Sequence, residues 1–333
     1  MKTLVYTQPN EVQLQERAEP SLVDGEVILK IEAVGICGSD MHAYHGHDPR
    51  RQPGLVLGHE FCGTVVQSAS PRYTKGTRVT GNPLITCGSC DYCVQGRNNL
   101  CENRTMVGMT RPGAFAELMS IPASSLIDMP QDMPAQHAAV TEPAATALHA
   151  INLSTRVLLR PVQECRTLII GGGAIGMFCA LLLKSYGCSD VSVAEVNPLR
   201  RVQLDKHAGV ASYNPKDQQP PENSFHYVID AVGSKTTRNT AIAAVRAGGV
   251  VMHIGLQDWA SEIDMRRLTL AEITLLGTYT YTTADLRATV AAIYRGGFGD
   301  LAWLDTRALA DGPQAFADLD QGRAASAKLI LCP

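Results

Sequence analysis

The 333-residue sequence lacks any apolar run of membrane-spanning length. The longest candidate, Ala174 to Leu183, stops at Lys184, well short of the ~18 residues a helical span needs. It also lacks an excess of positive charge: 29 Lys and Arg face 32 Asp and Glu, so no field draws a polyanion and nucleic acid is not an expected partner. No internal repeat, heptad array or low-complexity segment occurs, which excludes solenoids and coiled coils. The opening MKTLVYTQPNEVQLQER meets Gln, Asn and Glu before any apolar stretch of signal-peptide length. The expectation is a cytoplasmic protein with no membrane partner. What is present forms cores: 45% of residues are hydrophobic and 18% charged, and the length suggests about two domains of roughly 150 residues each.

Ten cysteines stand at 37, 62, 87, 90, 93, 101, 165, 179, 188 and 332. A reducing compartment does not use them as a disulfide framework. Four of the ten fall within fifteen positions, and such clustering points to metal.

The first 130 residues read as all-β, with short β-prone runs (Val27–Ala33, Gly63–Val66, Thr77–Thr80) between Gly, Pro, Asp and Asn punctuation. From Gln131 to Ile151 the texture turns alanine-rich and helical. Beyond Arg166, strands alternate with helices. Thr167–Ile170, Val191–Glu195, Phe225–Asp230, Gly249–Gly255 and Glu272–Thr280 are expected strands. Ala174–Tyr186, Pro198–Ala208 and Thr236–Ala247 are expected helices, and the connection Asn214–Ser224 is polar. This alternation implies an α/β fold with a parallel sheet covered on both faces. Ala284–Tyr294 and a β-like run, Ala327–Cys332, complete the chain.

TLIIGGGAIGMFCALLLKSYG sets Gly171, Gly173 and Gly176 in G-x-G-x-x-G spacing after a strand and at the start of a helix. Gly171 permits the tight turn, Gly173 lets the backbone approach a pyrophosphate, and Gly176 lets helix and strand pack closely. The first helical residues, Ala174 and Ile175, present free N–H groups to phosphates. Glu195, at the end of the second strand, can accept hydrogen bonds from a ribose diol and would repel a 2′-phosphate, which favours NAD over NADP. Arg200 and Arg201 follow and partly offset that preference.

Cys87, Cys90, Cys93 and Cys101 read C-x2-C-x2-C-x7-C. Four thiolates on one short lobe close the tetrahedral sphere of a structural zinc. Buried free thiols and an iron–sulfur cluster are the other uses of such a set. Cys37, in GICGSDMH, with His59 and Glu60, in LGHEFCG, offer a thiolate, an imidazole and a carboxylate, which suit an open catalytic zinc site. Asp40 can orient His59. Each of these residues alone is as readily structural, a lone Cys being a common core residue.

Together these segments resemble the zinc-dependent medium-chain dehydrogenase/reductase family along essentially the whole chain. CGSD, GHE-x-x-G, the four-cysteine lobe, GAFAEL at Gly113–Leu118 and GGGAIG occur in that family's order. The likeness is nearer to polyol (sorbitol-type), butanediol and threonine dehydrogenases than to the alcohol dehydrogenases whose third catalytic-zinc ligand is Cys. Here that region reads TEPAATALHA, with Glu142 at the acidic position. The resemblance implies Cys37, His59 and either Glu60 or Glu142 on a catalytic zinc, with a second, structural zinc on the cysteine lobe. It implies a GroES-like β-rich domain from residues 1–139 and 278–333, its zinc lobe at about 83–105, and a Rossmann dinucleotide-binding domain at 140–277. It further implies NAD as cofactor, a secondary alcohol (polyol, sugar alcohol or diol) as substrate, and a homodimer or homotetramer built partly through the Glu272–Tyr281 strand. The catalytic residues so implied are Ser39, Glu60 and His42: Ser39 accepts the hydroxyl proton and His42 ends the relay through the nicotinamide ribose. A threonine-type or sugar-phosphate dehydrogenase, or an inactive binding relative, are the rival readings.

Three features depart from the family pattern. Cys62 stands where small or apolar residues are usual, either packing or a thiol open to oxidation. The link Asn152–Cys165 lacks a Gly-rich approach to the first strand. His45 and His47 have no family role and read as a polar loop.

Overall fold

The computed structural model describes all 333 residues. The runs TLII, VSVA and FHYVID carry almost no polar alternation, so they are stable only in a sheet covered on both faces. They supply three of six parallel strands: Thr167–Ile170, Val191–Ala194, Ala211–Tyr213, Phe225–Asp230, Val245–His253 and Thr274–Gly277. Numbered one to six along the chain, their spatial order is 3-2-1-4-5-6. This doubly wound order reverses direction between the first and fourth strands and opens a crevice at their carboxyl ends.

The strand Ala211–Tyr213 was not expected from sequence; it is three residues long and sits at the sheet edge. The expected helix Pro198–Ala208 is α-helical only to Gln203, then widens to a π turn over Leu204–Ala208 before Gly209 at φ 59°. Helix Lys235–Ala244 ends three residues earlier than expected. There the Arg267 guanidinium donates to the carbonyls of Ile242, Ala243 and Val245 and ends the helical ladder. The sixth strand is likewise shorter than Glu272–Thr280, because Glu272 and Thr280 both adopt positive φ (47° and 46°).

A second, mixed sheet draws strands from two distant stretches of sequence. Its order is Asp305–Ala308, Leu329–Cys332, Glu26–Gly35, Glu60–Ser68, Arg78–Gly81 and Leu126–Asp128, with Leu118–Pro122 also paired to Glu26–Gly35. Helix Thr141–Thr155 packs against helices Ala174–Ser185 and Thr283–Tyr294. Its Ala144, Ala145, Ala147 and Ala150 are fully buried, and their small side chains permit that close approach. His149 Nδ1 and Asp285 Oδ2, 2.7 Å apart, join two of these helices, and Asn152 adds a bond to Asp285 Oδ1.

Candidate active site and metal centres

Cys37 leaves the end of strand Glu26–Gly35 and opens the short helix Gly38–Tyr44, where its backbone N–H donates to Asp40 Oδ2 at 3.0 Å. His59 immediately precedes the adjacent strand, which begins at Glu60, and Glu60 pairs with Gly35. A Cβ at Gly35 would fall 2.0 Å from Glu60 Oε2, so only glycine leaves room for the carboxylate. The ligand atoms of Cys37, His59 and Glu60 all lie within 4.8 Å of one another.

Two buried atoms here have no hydrogen-bond partner, His59 Nδ1 and Asp40 Oδ1, and they stand 3.5 Å apart. Such a facing pair fits a histidine that turns Nδ1 to a carboxylate and gives Nε2 to a metal. Burial opposes charge on His59, but Asp40 and the Cys37 sulfur outweigh it and raise the imidazole well above its ordinary value. The donor set of one sulfur, one imidazole and a carboxylate fits an open zinc site.

Two carboxylates approach this point, and the protein treats them differently. Lys328, 2% exposed, donates to both oxygens of Glu60 at 2.7 Å and to the Ile36 carbonyl at 2.8 Å. Glu142 Oε1 accepts a hydrogen bond from Tyr281 Oη at 2.9 Å, and burial pushes its pKa up to about 7. Ser39 Oγ lies 3.5 Å from His59 Nε2 and accepts from Arg51 Nη2 at 3.2 Å. His42 is half-buried; burial, then the neighbouring His47 and His45, lower its pKa. His45 is tied to Asp320 at 2.6 Å and His47 is exposed. The Cys62 thiol is buried and donates to the Ala135 carbonyl, and burial raises its pKa, which is the packing arrangement.

In the cysteine lobe, Gly88 and Gly96 take the positive φ values (74° and 75°) that the turns require. The four sulfurs of Cys87, Cys90, Cys93 and Cys101 lie within 4.8 Å of one another. The spacing suits a tetrahedron with metal–sulfur bonds of about 2.3 Å. Backbone N–H groups of Cys90 and Cys87 point at Cys87 Sγ and Cys101 Sγ, both at 3.4 Å. Backbone donors from Ser89 and Cys90 lower the Cys87 thiol to about 5. These donors favour the thiolate of Cys87, the form that binds zinc, whereas burial raises Cys93 to about 12. The lobe also holds the segment carrying Tyr281: Asn99 Nδ2 donates to the Tyr279 carbonyl at 2.9 Å, and Asn98 exchanges two bonds with Thr283.

The glycine loop leaves the first parallel strand at the crevice. Gly171 adopts φ 97°, and a Cβ on Gly176 would meet the Gly171 carbonyl oxygen at 1.8 Å. Gly173 caps helix Ala174–Ser185, and a Cβ there would meet nothing nearer than Arg200 Nη1 at 3.9 Å. This open cradle beside a helix N-terminus fits a pyrophosphate. Glu195 is buried, accepting from the N–H groups of Gly172 at 2.6 Å and Asn197 at 2.7 Å, and Arg200 Nε is buried without a partner.

Sequence reasoning did not find Lys328, Tyr281 or the role of Arg51. Lys328 had one available signal, a charged residue entering the apolar run LILC; Tyr281 and Arg51 had none.

The alcohol dehydrogenase GroES-like domain family matches residues 23–131, and the zinc-binding dehydrogenase family matches residues 174–295. L-galactonate-5-dehydrogenase of Escherichia coli (strain K12) is 31% identical over 86% of this chain and 85% of its own. L-threonine 3-dehydrogenase of Chelativorans sp. (strain BNC1) is 31% identical, with 97% of each chain covered. The structure of acetophenone reductase from Geotrichum candidum in complex with NAD matches with a TM-score of 0.89 and 29% identity, covering 100% of this chain and 97% of that one. The chain belongs to the zinc-dependent medium-chain dehydrogenase/reductase family. It is thus an NAD(P)-dependent oxidoreductase of alcohol-type substrates, with a GroES-like and a Rossmann-type domain.

Proposed function

We propose that this protein reversibly oxidises a secondary alcohol of the polyol, sugar-alcohol or diol type, with NAD as hydride acceptor. The observation that carries the reading is the meeting of Cys37, His59 and Glu60 within 4.8 Å, with the Ser39 hydroxyl beside His59. L-galactonate and L-threonine, the substrates named for two relatives, are themselves secondary alcohols. The buried Glu195 at the loop supports NAD over NADP.

Cys37 and His59, with Glu60 or Glu142, would hold a catalytic zinc, and Cys87, Cys90, Cys93 and Cys101 a structural one. Zinc would supply Lewis acidity toward the substrate hydroxyl and NAD the hydride acceptor. Ser39 Oγ takes the hydroxyl proton, while the Arg51 guanidinium fixes the serine's orientation. His42, whose pKa burial lowers, is the terminal acceptor that returns the proton to solvent. Gly171, Gly173, Ala174, Ile175 and Gly176 seat the pyrophosphate, with Arg200 at the edge of the cradle.

We place the domain boundaries at 1–139 with 278–333, and 140–277. The sixth parallel strand leaves its outer edge unpaired and carries the exposed Leu275, and Leu256, Trp259, Met265 and Leu270 in the segment leading to it are exposed as well. That edge supports a homodimer or homotetramer. Ten free thiols suit a reducing cytoplasm, and no helix is long and apolar enough to cross a membrane.

The test is NADH formation by zinc-loaded protein with sorbitol, xylitol, galactitol, 2,3-butanediol, L-threonine, a phosphorylated polyol and a simple secondary alcohol. Turnover of an unphosphorylated polyol or diol is expected, and Ser39→Ala should depress it while zinc content and NAD binding persist. Silence with two zincs and NAD bound would sink the substrate class.

A further inference from the structure

Arg51 touches Ser39, Arg50 shares a carboxylate with Arg51, and across these two guanidiniums and that of Arg104 only Asp48 accepts a hydrogen bond through a carboxylate. Asp48 accepts Arg50 Nε at 2.8 Å and Arg50 Nη2 at 3.0 Å, and also Arg51 Nη1 at 2.6 Å. One carboxylate therefore serves two guanidiniums. Arg51 is buried, with Nε on the Gly108 carbonyl and Nη2 on Ser39 Oγ, one hydroxyl away from His59. Arg50 is the outer member: its side chain is 61% exposed, and its Nη1 has no protein partner. The Arg104 guanidinium lies 4.9 Å from the Tyr279 ring centroid, and Tyr279 adds, after Asp48, to the raised pKa of Arg50. Arg104 has no carboxylate partner; its one bond goes to the Cys101 carbonyl.

The arrangement is held by the protein's own contacts. Asp48 fixes Arg50 through two parallel bonds, and Tyr279, which carries Arg104, is itself anchored by Asn99. A guanidinium fork with an unused edge matches the two oxygens of a carboxylate.

We infer that Arg50 and Arg104, flanking Tyr279 and backed by Arg51, form a subsite for the carboxylate of a hydroxy acid whose secondary hydroxyl is the one oxidised beside Ser39. This rests on the proposed dehydrogenase reading and narrows its substrate class from neutral polyols to hydroxylated carboxylates. The carboxylate does not react. It is held at a distance, so that binding strength on the far end of the substrate positions the carbinol.

The experiment compares D-gluconate with D-glucitol, and D-galactonate with galactitol, as substrates of the zinc-loaded enzyme with NAD. Glucitol 6-phosphate is included as a second anion. Arg50→Gln, Arg50→Lys and Arg104→Gln are measured beside the native protein, and calorimetry measures gluconate binding to the NADH-saturated enzyme. The expected result is an aldonate preference in kcat/KM over the matched alditol. Arg50→Gln should lower that preference about tenfold to a hundredfold, mainly through KM, with Arg50→Lys retaining more of it. Alditols used as well as aldonates, or a preference unmoved in Arg50→Gln and Arg104→Gln, overturns the subsite and leaves the dehydrogenase reading intact. A preference for the phosphate over the aldonate overturns the carboxylate assignment. Tight gluconate binding that is lost in Arg50→Gln, with no alcohol turned over, upholds the carboxylate subsite and sinks the proposed oxidation beside Ser39. Gluconate that is neither bound nor oxidised overturns the subsite.

Discussion

Lys328 and Glu60, 268 residues apart in sequence, form a buried ion pair in which one ammonium serves both carboxylate oxygens at 2.7 Å. Neither side chain is more than 2% exposed. An ammonium here neutralises a carboxylate that would otherwise sit unpaired beside a sulfur, an imidazole and a second carboxylate. Of the two acidic candidates for the third ligand, Glu60 is thus the compensated one, while Glu142 has only the Tyr281 hydroxyl and a pKa raised to about 7.

Removing one partner of such a pair is costly, because it leaves the other charge buried. Lys328→Met should lose about 3–5 kcal/mol in urea unfolding of metal-free protein. Much of that loss should return in Lys328→Met/Glu60→Gln, where neither half of the pair is left as an unpaired charge. A single variant as stable as the native chain would show that Glu60 is not ionised there.

Two glycines of the dinucleotide loop should respond in opposite ways. Gly176→Ala puts a methyl group 1.8 Å from the Gly171 carbonyl oxygen, so backbone must move, at a cost of about 1–3 kcal/mol or more. Gly173→Ala meets no protein atom closer than 3.9 Å and keeps an ordinary φ of −69°. Its stability should be unchanged while NAD affinity falls at least about tenfold (about 1.4 kcal/mol). Native NAD affinity in Gly173→Ala would place the pyrophosphate elsewhere.

The helix junction at Asp285 should make stability pH-dependent. Burial opposes ionisation of Asp285, but hydrogen bonds from His149 and Thr282 prevail and hold its pKa down to about 2. A depressed carboxylate contributes stability above its unfolded pKa of about 3.9, and that contribution is lost as pH falls toward about 2. Asp285→Asn should therefore be less stable than the native chain at pH 6, and the gap in urea midpoint should close between pH 4 and pH 2. A gap that stays constant over that interval would contradict the ionic origin.

Charge placed on the free edge of the parallel sheet should expose the assembly. Leu275 is 41% exposed on strand Thr274–Gly277. Leu275→Asp puts a charge on the edge proposed above as the subunit contact. Sedimentation is expected to show a shift toward monomer, with Trp259, 85% exposed in the protomer, reporting the change by fluorescence. An unaltered sedimentation coefficient would move the interface to another face.

Features whose parts lie close in sequence were legible before the structure. Cys87, Cys90, Cys93 and Cys101 span fifteen positions, and Gly171, Gly173 and Gly176 span six, so spacing alone announces the geometry. Cys37 and His59 were legible through the short motifs around them. Lys328 and Tyr281 were not, since their partners are 268 and 139 residues away and only sheet closure and the return of the chain bring them together. Arg51 lies twelve residues from Ser39, yet nothing in RRQP distinguishes a buried guanidinium from a solvated one. The edge strand Ala211–Tyr213 is too short to leave a period.

The mixed sheet takes Leu329–Cys332 between Asp305–Ala308 and Glu26–Gly35, and Lys328 enters with that strand. On the ribosome, residues 167–277 emerge as one contiguous block and can fold as a unit. The half that carries Cys37 and His59 is synthesised first and finished last. Until residue 328 is made, Glu60 has no ammonium and the strand beside Gly35 is missing. Early synthesis therefore leaves an incomplete sheet with an open edge and a pair of exposed thiol and imidazole ligands, the interval in which a chaperone has most to protect.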